Sequence, residues 1–263
     1  MSRVLAIANQ KGGVGKTTTA INLAASLAAN DLRVLVIDSD PQGNATTGLG
    51  VAKDPARPSL YDVLLADAPA KAAVVATELE GLHLISADKN LVGANLELVA
   101  LSRREFRLRE RIAEIRGDYP FILIDCPPAL DLLTLNALLA ADAVLVPIQC
   151  EFFALEGISE LMDTIERIRN SFRHPLAVEG ILLTMYDERT VLTRQVAADL
   201  REFFAGQVFR TVIPRSIRLA EAPSFGKSIL SYDPRSRGAE SYIRLAKEIL
   251  DHAQNGQSTQ GAR

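Results

Sequence analysis

Residues 10–18 read QKGGVGKTT, a combination of types that suits a phosphate cradle. Gly12, Gly13 and Gly15 let the backbone turn tightly and bring its N–H groups against phosphate oxygens. A helix starting near Lys16 aims the positive end of its dipole at the same place. Lys16 supplies charge for β- and γ-phosphate oxygens, and Thr17 supplies a hydroxyl of the kind that Mg²⁺ prefers. The candidate cradle therefore runs through Lys11, Gly12, Gly13, Val14, Gly15, Lys16, Thr17 and Thr18. It departs from the usual spacing G-x-x-x-x-G-K-[ST], because Gln10 stands where the first glycine should be and a second lysine, Lys11, follows it.

Two aspartate sites fit the same chemistry. FILIDCPP places Asp125 at the end of an apolar run, where a carboxylate can hold Mg²⁺ through water in the Walker B manner. VLVIDSDPQGN places Asp38 at the end of another such run and Asp40 just past it, before the turn residues Pro41 and Gly43. A carboxylate at 40 can orient an attacking water, and it is a second candidate for holding the metal through water. Asp38 reads equally well as a turn cap.

These residues need a sheet to hold them. VLAIAN (4–9), RVLVID (33–38), HLISA (83–87), FILIDC (121–126), AVLVPIQ (143–149), EGILLTMY (179–186) and VFRTVIP (208–214) are short and apolar throughout, as strands buried on both faces should be. Helical spacing fills segments such as 17–30, 93–116 and 155–172. Strand and helix in alternation predict an α/β fold, with a mostly parallel twisted sheet and helices on both faces. At 263 residues, 48% hydrophobic and 23% charged, the chain is expected to form one domain over 1–252 and end in a disordered tail over 253–263. The net charge of −3 argues against a uniformly basic nucleic-acid binder. Cys126 and Cys150 lack C-x-x-C spacing and read as buried free thiols of a reducing cytoplasm. No stretch is long and apolar enough for a membrane span, and the opening residues are too short for a signal peptide.

KGGVGKTT, DSDPQGNAT, IDCPP, VPIQCEFFALEGISEL and IPRSIRLAEAPSFGKSI together resemble the ParA/Soj family of partitioning ATPases, within the deviant Walker A class of P-loop proteins. The similarity spans roughly residues 2–252. It implies ATP and Mg²⁺ as cofactors, slow and partner-stimulated hydrolysis, and an ATP-dependent homodimer across which Lys11 reaches the other subunit's phosphates. It implies non-specific binding of double-stranded DNA, with Arg189 and Arg218 at the matching positions and Arg215 and Lys227 as further candidates. It implies a ParB/Spo0J-like centromere-binding partner, a cytoplasmic and nucleoid-associated location, and an adenine seat near Met185 and Pro214. The run 103–116 carries three glutamates among its arginines and reads as a solvated helix with i,i+4 pairs.

Other classes can be weighed on specific features. A MinD-like membrane ATPase should end in a basic amphipathic helix, which NGQSTQGAR does not offer. An iron–sulfur protein needs cysteines that can gather round a cluster, and the two here do not. A tyrosine kinase of the superfamily would carry a tyrosine-rich tail. With the first strand opening the sequence, an operator-reading helix-turn-helix is not expected. The alternative retained is an orphan ParA-like or MinD-like ATPase that positions another cargo or binds a membrane.

Overall fold

Five apolar segments, each buried along most of its length, line up as the centre of a seven-stranded sheet. The structure, a computed structural model, describes the backbone of residues 2–52 and 54–260 and side chains through residue 253. Its strands are β1 (Arg3–Ile7), β2 (Val34–Asp38), β3 (Val74–Ala76), β4 (Leu82–Ile85), β5 (Phe121–Asp125), β6 (Ala143–Gln149) and β7 (Ala177–Thr184). Their order is β3-β4-β2-β5-β1-β6-β7, parallel throughout except for the antiparallel edge strand β3. The helices are α1 (Lys16–Ala28), α2 (Asn44–Gly48), α3 (Leu60–Leu65), α4 (Leu91–Leu98), α5 (Arg107–Ala113), α6 (Leu132–Ala140), α7 (Ala154–Phe172), α8 (Val191–Phe203), α9 (Ile217–Glu221), α10 (Ile229–Tyr232) and α11 (Arg237–Gln260).

Alternation along the strands builds two cores. Val4, Ala6, Leu35 and Ile37 face one side and pack with α3 to α8. Leu5, Ile7, Val34 and Val36 face the other and pack with α1, α10 and α11. Successive side chains on a strand point to opposite faces, so a strand with no polar position is one covered on both sides. The predicted sheet with helices on both faces is present.

Three expectations need correction. Residues 208–214 are not a strand: alongside β7 they form only isolated bridges, Ile181–Val208 and, just past the end of β7, Tyr186–Pro214. Between them the amides of Arg210 and Thr211 donate to the Glu248 carboxylate of α11, at 2.8 and 3.1 Å, which takes them out of the ladder. The long helix over 93–116 is broken into α4 and α5. The Asn136 side chain accepts from the Leu108 amide and donates to the Arg104 carbonyl, and Arg103 takes a left-handed φ of 52°. Most arginines of that run are paired, but not at i,i+4: Arg107 and Arg111 converge on Asp67, and Arg111 also meets Glu114 at i,i+3. The backbone of α11 is described through Gln260, and residues 261–263 of the expected tail lie outside the described ones. Both cysteines are free and buried. No helix among the described residues is long and apolar enough to cross a membrane.

Candidate functional site

Every candidate phosphate or metal group sits at or just past the C-terminal end of a strand, at one edge of the sheet, where open parallel sheets place their ligand crevices. Central β1 ends at Ile7, in register with Asp125 of β5, which is itself in register with Asp38 of β2. The loop from Ala8 leads to Gly15, which N-caps α1 at φ 87°; Gly13 is at 75°. These are the two positions where left-handed backbone demands glycine. Gly12 has no such φ, and a Cβ at Gly12 or Gly13 would meet nothing within 4 Å.

Two side chains missing from the sequence reading hold this loop. Buried Asn9 donates to the Pro147 carbonyl of β6 and accepts from the Lys11 amide, at 2.8 and 2.9 Å. Thr184, last in β7, donates to the Val14 carbonyl at 2.8 Å. Their only sequence signal is position: each follows or ends a strand at the ligand edge.

Lys16 is buried, and its ammonium donates to the Lys11 carbonyl at 3.0 Å. Burial lowers its pKa, while Asp125 and Asp40 pull it back up. Asp125 is fully buried, and neither of its oxygens has a hydrogen-bond partner. Burial and then the neighbouring Asp38 push its carboxyl well above the usual range, although the Thr17 hydroxyl is close enough to favour the ionised form. An orphaned buried carboxylate facing a threonine hydroxyl fits a magnesium ion held through water. Among the described residues no group of three or more His, Cys, Asp or Glu side chains could hold a metal.

Asp40 is nearly buried and accepts from the Gln42 amide at 2.9 Å, within a turn closed by the Gly43 amide on the Asp40 carbonyl. Asp38 is tied up instead. It accepts from the Thr46 amide and hydroxyl, both at 2.7 Å, and from the Asp40 amide at 3.3 Å. Burial raises it to about 6 against those bonds. Of its two readings, the turn cap is the one its contacts describe.

Lys11 projects from the loop and forms an ion pair with Glu151, beyond β6. Next to Gly15 and Thr18 lies a cavity of about 320 Å³ walled by Thr184, Met185, Ile213, Pro214 and Tyr242, so the structure brings the expected adenine residues to the loop. Met185 has a left-handed φ of 48°. The expected DNA arginines are exposed but carry partners. Arg189 makes a two-pronged contact with Asp187, at 2.9 and 2.8 Å, and Arg218 pairs with Glu221 at 3.1 Å and Asp233 at 3.7 Å. Arg215 and Lys227 are exposed.

A glycine–lysine loop between a central parallel strand and a helix, with a strand-end aspartate opposite its threonine, defines a P-loop nucleoside triphosphatase of the deviant Walker A kind. Residues 2–178 match a family model described as an AAA domain. The chromosome partitioning protein ParA of Caulobacter vibrioides is 55% identical over 258 residues, covering 97% of this chain and 97% of that one. The sporulation initiation inhibitor protein Soj of Bacillus subtilis is 51% identical over 249 residues, covering 95% and 98%. A solved structure of cobyrinic acid a,c-diamide synthase from Mycobacterium smegmatis, with bound ADP and magnesium, matches with a TM-score of 0.85 at 39% identity over 97% of both chains. The chain belongs to the ParA/Soj family of chromosome-partitioning ATPases.

Proposed function

We propose that the protein is an ATP-switched dimer that binds nucleoid DNA without sequence preference and drives chromosome or plasmid partitioning with a ParB/Spo0J-like partner. Its hydrolysis is slow and partner-stimulated, and it works in the cytoplasm on the nucleoid, not on a membrane. The observation that carries the reading is Asp125, buried and unpartnered opposite Thr17 and beside Lys16 and Asp40.

In this reading the loop amides and Lys16 bind the triphosphate, with the base in the cavity between Met185 and Pro214. Thr17 and Asp125 hold magnesium, which when bound screens the phosphate charge. Asp40 orients the water, and Lys11 reaches the partner's phosphates, so that closure depends on the γ-phosphate. Basic side chains then grip DNA through its phosphates alone.

Asp40 and Lys16 separate hydrolysis from binding. Asp40→Ala removes no phosphate ligand, so it should bind ATP, dimerise and stay on DNA even with partner present, at a hydrolysis rate reduced by about two orders of magnitude or more. Lys16→Ala should bind neither ATP nor DNA. Gel filtration, DNA retention and phosphate release with ATP decide this. Parental hydrolysis by the Asp40 variant would overturn that role.

A further inference from the structure

A second concavity, of about 400 Å³, lies beside the candidate adenine cavity, and its lining is polar where that of the first is apolar. Four guanidinium groups meet there: Arg189 from the turn after β7, Arg215, and Arg237 and Arg244 from the start of α11. Two carboxylates share the lining, Asp187 and Glu188. Asp187 is engaged by Arg189, and Arg244 has Glu240 at 3.3 Å on its own helix. Among the described residues no carboxylate lies within ion-pair distance of Arg215 or Arg237. Four like charges in one cleft repel, and the internal acids neutralise only part of them. Because α11 begins at Arg237, its dipole adds positive potential at the same end. The cleft is therefore built for an anion.

Two features choose a phosphate of a polymer backbone over other anions. The cleft is open and its four arginines are all exposed, which suits a strand passing across it. Planar guanidinium forks match phosphate oxygens two at a time. Arg218, which the family resemblance implies as a DNA contact, does not line this cleft and is occupied by Glu221 and Asp233.

We propose that this cleft seats a backbone phosphate of duplex DNA, with Arg237 and Arg244 as contacts alongside Arg189 and Arg215. The inference rests on the DNA-binding reading above and says where that grip is made. It also supplies a physical link to nucleotide. Pro214 and Arg215 line both the cleft and the candidate adenine cavity. Their strip is pinned to β7's end by the Tyr186 amide on the Ile213 carbonyl and the Arg215 amide on the Tyr186 carbonyl, at 2.9 and 3.2 Å. A base filling one side thus sets where Arg215 stands on the other.

The test uses the full chain, a slowly hydrolysed ATP analogue and a random-sequence duplex, with affinity measured across a salt series. Arg237→Gln/Arg244→Gln should lose about tenfold or more in affinity near physiological salt, with a log–log salt slope shallower by about 0.9 for each phosphate contact removed. Glu188→Gln, which removes a competing carboxylate from an exposed position, should bind duplex about twofold tighter at low salt. That gain cannot come from misfolding. A parent that binds duplex, with both variants matching it in affinity and slope, would overturn the seat and leave the DNA reading standing. A parent that binds no duplex would overturn the reading itself. Sodium tripolyphosphate is the remaining arm. If it binds the parent but not the double variant, while duplex affinity is the same for both, the cleft holds a soluble polyphosphate and the DNA assignment falls.

Discussion

Asp125 concentrates the cost of the site in one side chain, since a carboxylate without a partner in a dry interior is poorly tolerated as a charge. Together with Asp38, raised by burial to about 6 from the usual 3.8, it makes the nucleotide-free chain hold protons that the unfolded chain releases. The sign follows from that. The folded pKa lies above the unfolded one, so the stabilisation is full below pH 3.8 and is lost as pH rises through about 6. Asp125→Asn removes one of these titrating carboxyls without changing the shape. The variant should therefore be more stable than the parent at neutral pH, by about 1–3 kcal/mol, and lose less stability between acid and neutral pH. It should also lose the extra gain in melting temperature that Mg²⁺ adds to ATP. Calorimetry across pH, with and without Mg-ATP, reads all three. A variant that melts lower than the parent at neutral pH would mean that Asp125 is satisfied as a charge.

Among the elements, the segment 208–214 shows how one distant side chain overrides local pattern. Burial alone would raise the Glu248 carboxyl; the amides of Arg210 and Thr211 outweigh it and hold it below its usual value. Glu248→Ala should release both amides, cost about 2 kcal/mol, and raise KM for ATP, because the same segment walls the candidate adenine cavity through Ile213 and Pro214. Glu248→Gln keeps an acceptor and should cost about half as much. Urea melts and an ATP titration check both, and an unchanged KM would separate the segment from the nucleotide. The same residue explains what was legible in the sequence. The central strands could be read because burial on both faces confines the polar residues of β1, β5 and β6 to their ends, at Arg3, Asp125 and Gln149. Lys16, Thr17, Asp40 and Asp125 could be read because glycine turns and strand ends mark them locally. The absent strand at 208–214 and the break after α4 could not, because Glu248 and Asn136 lie dozens of residues away in sequence. Asn9, Thr184 and the Lys11–Glu151 pair were likewise invisible, since each depends on which strands are neighbours. The three residues of β3 are too few to carry a pattern.

For the whole molecule, the decisive question is what Lys11 does when two copies meet. In the single chain its ammonium is held by Glu151, with both side chains about half exposed, a setting in which an ion pair adds little to stability. Phe152 and Phe153 follow directly and are exposed, 76% and 66%, in edge-to-face contact with each other. If Lys11 crosses to a partner's phosphates, it must first leave Glu151, and the carboxylate then competes with the γ-phosphate for one charge. Removing each member of the pair should therefore move dimerisation in opposite directions. Lys11→Ala should leave ADP binding within about twofold, because Lys16, Thr17 and the loop amides remain, yet dimerise poorly even at saturating ATP analogue. Glu151→Gln frees the lysine and should dimerise at a several-fold lower analogue concentration, in line with about 0.5–1 kcal/mol for an exposed pair. Sedimentation of the parent and both variants, with ADP and with the analogue, distinguishes the cases. Loss of dimer in both variants would make the pair itself part of the interface, with Lys11 held in place by its own subunit instead of reaching across.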